Sequence, residues 1–276
     1  MKFDHPAFAP YRALIDALEL ARSLPALEAL NAQAAARGTL QARGLPLRFC
    51  APGDHLSARD YETHILHTGQ VPTRADTWHD VLNALVWLRF PRFKGALNAA
   101  HGDAIAVETD ARRGRRRDAL TMLDESGVWV ISRDPALSEL LAGRAWHTLL
   151  WQARDRMEGE MHFVVVGHAL LEKALAPYPA MTGKCLVLVA DSPDLDAADA
   201  RAAQELGAID SPRLLPPLPV QGIPGWDPAN ADAAYYANQD VFRPPRQISP
   251  PPPATRPPPP MPAPFPDRRT DGYPPP

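Results

Sequence analysis

The sequence predicts an α+β fold: a mostly helical N-terminal half, a small sheet made of a hairpin plus a strand-helix-strand unit, and a disordered proline-rich C-terminal tail. Three observations lead there. Apolar residues recur with helical period from residue 11 to about 108. The period shortens to that of strands around "VWVIS", "HFVVV" and "KCLVLVA". After about Val241 the composition collapses to "RPPRQISPPPPATRPPPPMPAPFPDRRTDGYPPP", which has too few apolar residues to build a core and favours polyproline II. Helices first and strands later is the order of an α+β domain. With 276 residues and 45% hydrophobic content the chain can bury one sizeable core. We place that domain at 1–225 and a proline-rich extension at 226–276, disordered from about 241.

Each element follows from local chemistry. Residues 11–36 form an amphipathic helix with Leu14, Leu18, Ala21 and Leu24 on one side, split by Pro25. "LSARDYETHILHTGQVP" is a second helix, capped by Ser57 and ended by Gly69 and Pro72. "TRADTWHDVLNALVWLRFP" is a third, with Thr73 and Asp76 at capping-box spacing and Phe90-Pro91 as its stop. "RFKGALNAAHGDAIAVE" is a fourth, and the arginine run at 112–117 breaks it. "DALTML" and "VWVIS" flank "DESG" as a hairpin. Asp134-Pro135 opens helices at about 135–142 and 145–157. "HFVVVGHALLEKALAPY" followed by "KCLVLVA" is a strand, a helix and a second strand.

The bulk numbers exclude several function classes. A net charge of -3 supplies no global basic field, so nucleic acid has no route except the Arg112–Arg117 loop. Two cysteines, Cys50 and Cys185, make neither a disulfide scaffold nor a zinc ribbon. The N-terminus carries an acid and a histidine within five residues and no continuous apolar run, so no secretory signal is expected. No stretch has the length and apolarity of a membrane span. A soluble cytoplasmic protein without membrane contact is the expectation. The sequence contains no phosphate-binding GxxxxGK[ST], no GxGxxG, no GxSxG and no HExxH.

What remains is a set of polar residues set into apolar helices. On a helical wheel at about 100° per residue, Trp78, Val81, Leu82, Leu85 and Val86 fill one arc, while His79, Asp80 and Asn83 share a narrow stripe. Lys94, Asn98 and His101 align at i, i+4 and i+7 on the next helix. His168 and Glu172 stand four apart after Gly167, which invites a close backbone approach. Such spacing converges two side chains on one ion or substrate, and it also occurs on solvated faces and in buried hydrogen-bond networks. Asp124, Glu125 and Ser126 read first as turn residues.

"WHDVLNALVWLRFPRFKGALNAAH", "RDALTMLDESG" and "FVVVGHALLEKALAPYPAMTGK" resemble, in that order, a bacterial family catalogued as domain of unknown function 3025, over roughly residues 10–225. The resemblance implies that His79, Asp80, Asn83, Asn98, His101, Asp118, Asp124, Glu125, His168, Glu172 and Lys184 occupy matching positions, which favours a shared pocket. It carries no activity. The arginine run and the proline tail lie outside its pattern.

Two functions from different classes fit. In the first, a metal-assisted hydrolase, His79, His101 and His168 with Asp80 and Asp124 hold a divalent metal ion. The catalytic residues are then Asn83, Glu172 as general base and Lys184 as partner of developing negative charge, acting on a small-molecule phosphoester or amide. In the second, a non-catalytic interaction or structural protein, the same side chains form a buried hydrogen-bond network, and the proline-rich tail binds an aromatic-groove domain. Convergence of the histidines and acids beside a pocket separates the two.

Overall fold

Gly127–Ile131 (β3) is the strand around which the chain is organised, and its five residues, GVWVI, are all buried. A run with no polar alternation is what a strand covered on both faces requires. In the computed structural model, which describes residues 3–53, 57–108, 114–190 and 193–244, β3 pairs antiparallel with His162–Val165 (β4) and parallel with Thr182–Leu188 (β5). Pro217–Pro219 (β6) adds antiparallel to β5, so the order is β4-β3-β5-β6. The expected strand-helix-strand unit is present. Its two strands are not neighbours, because β3 lies between them.

The N-terminal half is helical as expected, with different breaks. Arg12–Ala17 (α1) stops at Leu18 rather than at Pro25, and Glu19 turns the chain with a φ of 50°. That turn buries Leu18 and Leu20 together and leaves Ala21 exposed. Leu27–Ala36 (α2) follows, then Arg48–Cys50 (β1), which pairs parallel with Gln70–Pro72 (β2) in a separate two-stranded sheet. Between them Ala58–Thr68 (α3) begins and ends as the sequence indicates. The Ser57 side chain accepts from Asp60 N, and Gly69, at φ 71°, donates to Ile65 O.

Trp78–Arg89 (α4) and Pro91–Val107 (α5) meet at Phe90-Pro91, again as expected. The capping box is absent: Thr77 is the N-cap, while the Thr73 hydroxyl donates to Val71 O. Val81 through Leu88 are all buried, including Asn83 and Trp87. Of the polar stripe, Asn83 is buried, while His79 and Asp80 in the first turn are partly exposed.

The hairpin is overturned. "DALTML" belongs to Arg115–Ser126 (α6), a helix that runs directly into β3. Its buried positions Ala119, Leu120 and Leu123 are spaced for a helix face, and a six-residue apolar run does not distinguish strand from helix. Arg115 to Arg117 form its first turn, and the rest of the arginine run up to Arg113 lies outside the described residues. Pro135–Ala142 (α7) matches expectation, whereas the helix expected at 145–157 is a π segment at Thr148–Gln152 followed by Arg154–Glu160 (α8).

His168–Ala174 (α9) leaves the sheet edge at Gly167, and Leu195–Glu205 (α10) has no counterpart in the sequence reading. α10 has a role that only packing reveals. Its buried Asp199 accepts from Arg92 N and Phe93 N, supplying the N-terminal cap that α5 lacks in its own sequence.

Packing continues past the expected boundary at 225. Tyr236 and Phe242 are buried in the main core, and the indole N–H of Trp146 donates to Arg243 O. The tail and its aromatic-groove partner concern residues from 245 onward, outside the described set. No helix among the described residues is long and apolar enough to cross a membrane.

Candidate functional site

The stripe of α4 faces a cavity of about 630 Å³. α3 contributes Tyr61 and Glu62, α4 contributes His79, Asp80 and Asn83, and α5 contributes His101. The C-terminal half of α6 brings Thr121, Asp124 and Glu125, and the start of α9 brings His168. Five helices from distant parts of the sequence thus place chemically capable side chains on one space.

At its base the two imidazoles meet. His79 Nε2 and His168 Nε2 are 3.1 Å apart, with ring planes at 75°. His79 Nδ1 is 2.9 Å from Glu172 Oε2, the geometry of an N–H donated to a carboxylate, which leaves the Nε2 lone pair directed at His168. Glu125 Oε2 stands 3.7 Å from His168 Nε2. The ligand atoms of His79, Glu125 and His168 all lie within 4.8 Å of one another.

Gly167 makes this meeting possible. A Cβ at that position would lie 2.3 Å from Gly127 N and 2.5 Å from Ser126 Cα, so only glycine allows the β4–α9 corner to press against the α6–β3 corner. Val166 N and Gly167 N both donate to Gly127 O at 2.9 Å. His168 consequently starts α9 against the residues that end α6.

A second tier lies beneath. Lys94, buried on α5, donates to Asp124 Oδ1 and lies 5.3 Å from the Trp87 ring centre. Burial by itself would raise the Asp124 carboxyl; the ammonium of Lys94, with His168 and His101, overcomes it and holds the group at about 2. Asp124 Oδ2 is 3.8 Å from His168 Nδ1, an electrostatic contact longer than a hydrogen bond. Burial, helped by Lys94 and His79 against the pull of Asp124 and Glu125, lowers the pKa of His168. A neutral imidazole is the form that coordinates or accepts a proton.

The other predicted residues divide. Asp80 lines the cavity but is engaged by Arg74, whose backbone N, Nε and Nη2 bind its two oxygens at 2.7, 2.9 and 3.0 Å. Asn83 donates to the Tyr61 hydroxyl at 3.0 Å, tying α4 to α3. His101 is buried in the lining, apart from the His79, Glu125 and His168 group. Glu172 stands behind His79, with its side chain 43% exposed, and is not part of the lining. Lys184 is on β5 opposite Gly127 and also outside the lining; burial and then Arg144 lower its pKa.

Two lining acids were not selected as site residues from sequence. Its sequence neighbours give Glu125 the look of a turn residue, and α6 delivers it to the histidines. Glu62 on α3 had no local signal at all: Asn98 Nδ2 donates to its Oε2 at 2.7 Å and to its backbone carbonyl at 2.9 Å. Burial first, and Asp124 second, raise its pKa to about 7 against the opposing effects of Asn98, Lys94 and Arg117.

No curated protein and no solved structure matches this chain. A family model described as "Protein of unknown function (DUF3025)" matches residues 47–246, a span that contains every residue of the cavity named above. The chain belongs to the DUF3025 family.

Proposed function

We propose that the protein is a metal-assisted hydrolase whose ion is held by His79, His168 and Glu125. The observation that carries this reading is the 3.1 Å approach of the two Nε2 atoms beside a carboxylate on the cavity floor. On one tetrahedral zinc ion, two nitrogens at about 2.0–2.1 Å from the metal stand about 3.3 Å apart, close to that separation. Two imidazoles and one carboxylate form a donor set that leaves a fourth position open, here toward the cavity. A divalent ion bound there would supply an acidified water.

The protein's own groups have distinct parts in this reading. Glu172 fixes the His79 tautomer from the far side, so it orients a ligand and is not the general base. Lys94 keeps Asp124 ionised under His168. Asp80 and Arg74 form one wall, and their mutual pairing leaves Asp80 outside the ligand set. Among the described residues, the cavity's cations are already matched: Arg74 by Asp80, and Arg117 by Glu108 at 2.9 Å. An uncharged acyl substrate such as an amide therefore suits the cavity better than a phosphoester.

The packing-network alternative has less support. A network selected for packing satisfies its buried atoms, whereas Asn83 Oδ1, Asn98 Oδ1 and His168 Nδ1 are buried without hydrogen-bond partners. The test is calorimetric titration of the full chain with Zn²⁺. One ion per chain is expected, with affinity reduced by more than about 100-fold in His79→Ala and His168→Ala and by less than about threefold in Asp80→Ala. Zinc binding that is equal in all four proteins, or absent from the unaltered chain, overturns the reading.

A further inference from the structure

We propose that Glu62 is the proton-transfer residue of the cavity, the carboxyl that takes a proton from the attacking water and returns it to the leaving atom of the substrate. This rests on the cavity being the reaction site, and it fills the role vacated by Glu172.

The geometry comes first. Glu62 lies on the α3 wall of the cavity, while the His79, Glu125 and His168 group is built from α4, α6 and α9. Its side chain is held rather than free. Asn98 Nδ2 grips Oε2 and the backbone carbonyl of the same residue, which leaves Oε1 as the oxygen for a ligand. Among the described residues, the one side-chain hydrogen bond of Glu62 is to Asn98, and the two nearby cations have other carboxylate partners. Arg117 is taken by Glu108, and Lys94 is taken by Asp124.

A carboxyl in that position does not ionise easily. The charged and titratable groups around it are Asp124 and Arg117 from α6, Lys94 from α5 and Tyr61 on α3 itself, with His101 of α5 in the same lining. Burial and the Asp124 carboxylate outweigh the two cations and Asn98, and the group titrates at about 7. A proton-transfer group is most effective when it is poised between its two states at working pH. Two neighbouring carboxyls of the lining are shifted the other way: Asp80 is lowered by Arg74, and Asp124 is held at about 2.

For an amide the step balances. A water proton passes to Glu62, and the water oxygen bonds to the acyl carbon. The carbon–nitrogen bond then breaks, and the nitrogen receives the proton from Glu62. Amide nitrogen leaves only when protonated, so a group able to return the proton is a requirement of this substrate class. The carboxylate product forms beside Asp124 and Glu125, and charge repulsion favours its release.

The test asks whether Glu62 is both protonated near neutrality and reachable from the cavity. The metal-free full chain is treated at pH 7 with a water-soluble carbodiimide and glycine ethyl ester, and modified peptides are identified by mass spectrometry. The carboxyl proton adds to a carbodiimide nitrogen and the carboxyl oxygen to its central carbon; the amine then displaces a urea and leaves an amide on the side chain. We expect Glu62 to be modified at least about tenfold faster than the exposed Glu28, and about tenfold faster at pH 6 than at pH 8.

Asn98→Ala should move the pH midpoint of modification upward, because the lost donor had favoured the carboxylate. A Glu62 that is unmodified, or modified no faster than Glu28, overturns the proposal, since it is then ionised or inaccessible. Zinc affinity of Glu62→Gln should stay within about threefold of the unaltered chain, because Glu62 is not a ligand. A loss of about 100-fold would make it one and overturn the assignment. If zinc does not bind at all, the metal reading fails while the modification result still decides the role of Glu62.

Discussion

Gly167→Ala tests how the site is assembled, because it adds one methyl group and alters no functional atom. The new Cβ would stand 2.3 Å from Gly127 N, where ordinary contacts begin at 3.4 Å. The two corners must then part by about 1 Å, since packed backbone has nowhere else to yield. That movement breaks two hydrogen bonds to Gly127 O, at about 1 kcal/mol each, and adds an overpacking cost of about 1–3 kcal/mol. We expect a loss of about 3–5 kcal/mol in urea denaturation. His168 moves with the corner. Metal sites tolerate ligand displacements of only about 0.2 Å, so zinc affinity should fall by about 100-fold or more. Gly159→Ala is the control: it lies in α8 with nothing within 4 Å, and it should gain up to about 1 kcal/mol with unchanged zinc binding. A Gly167→Ala protein as stable as the unaltered chain, with undiminished zinc affinity, would refute the claim that this close approach positions His168.

Leu85→Ala empties a fully buried position on α4 and should cost about 2–5 kcal/mol, whereas His79→Ala on the same helix should cost less than about 1 kcal/mol; equal losses in denaturant titrations would show that the His79 stripe is structural. Glu62 has a folded pKa of about 7 against an ordinary value of 4.5, so the folded protein retains a proton that the unfolded chain gives up. Its contribution to stability is complete below about pH 4.5 and is lost as pH rises through 7, on the order of 3 kcal/mol across that window. Glu62→Gln should flatten the stability profile between those limits, and an unchanged profile would contradict the assignment. Ending the chain after Val241 removes the buried Phe242 and the carbonyl that receives the Trp146 indole, so it should be less stable than a chain ending after Pro244 by about 2–4 kcal/mol in thermal or urea unfolding.

The sequence by itself determined the local elements. Ser57 and Gly69 bound α3, Phe90-Pro91 separates α4 from α5, and the i, i+4 spacing of His79 with Asn83 and of His168 with Glu172 marks helix faces, because caps and periods involve residues within one or two turns. The glycine before His168 was also legible, since only glycine permits so close a backbone contact. Where local signals were weak, tertiary packing decided. "DALTML" is too short to choose its own state, and it became α6 when its apolar face met the core. The alanine-rich "LDAADARAAQE" has little apolar contrast, and its Asp199 became a cap for a helix 106 residues away. Site roles were least legible. His79 offers one nitrogen to Glu172 and the other to His168, partners 93 and 89 residues distant. Asp80 was taken by Arg74, and Glu125 rather than Asp80 reached the histidines. Spacing fixes which side chains share a helix face, but only the packing of α3, α4, α6 and α9 against one another decides which acid meets which base and how far each is removed from water.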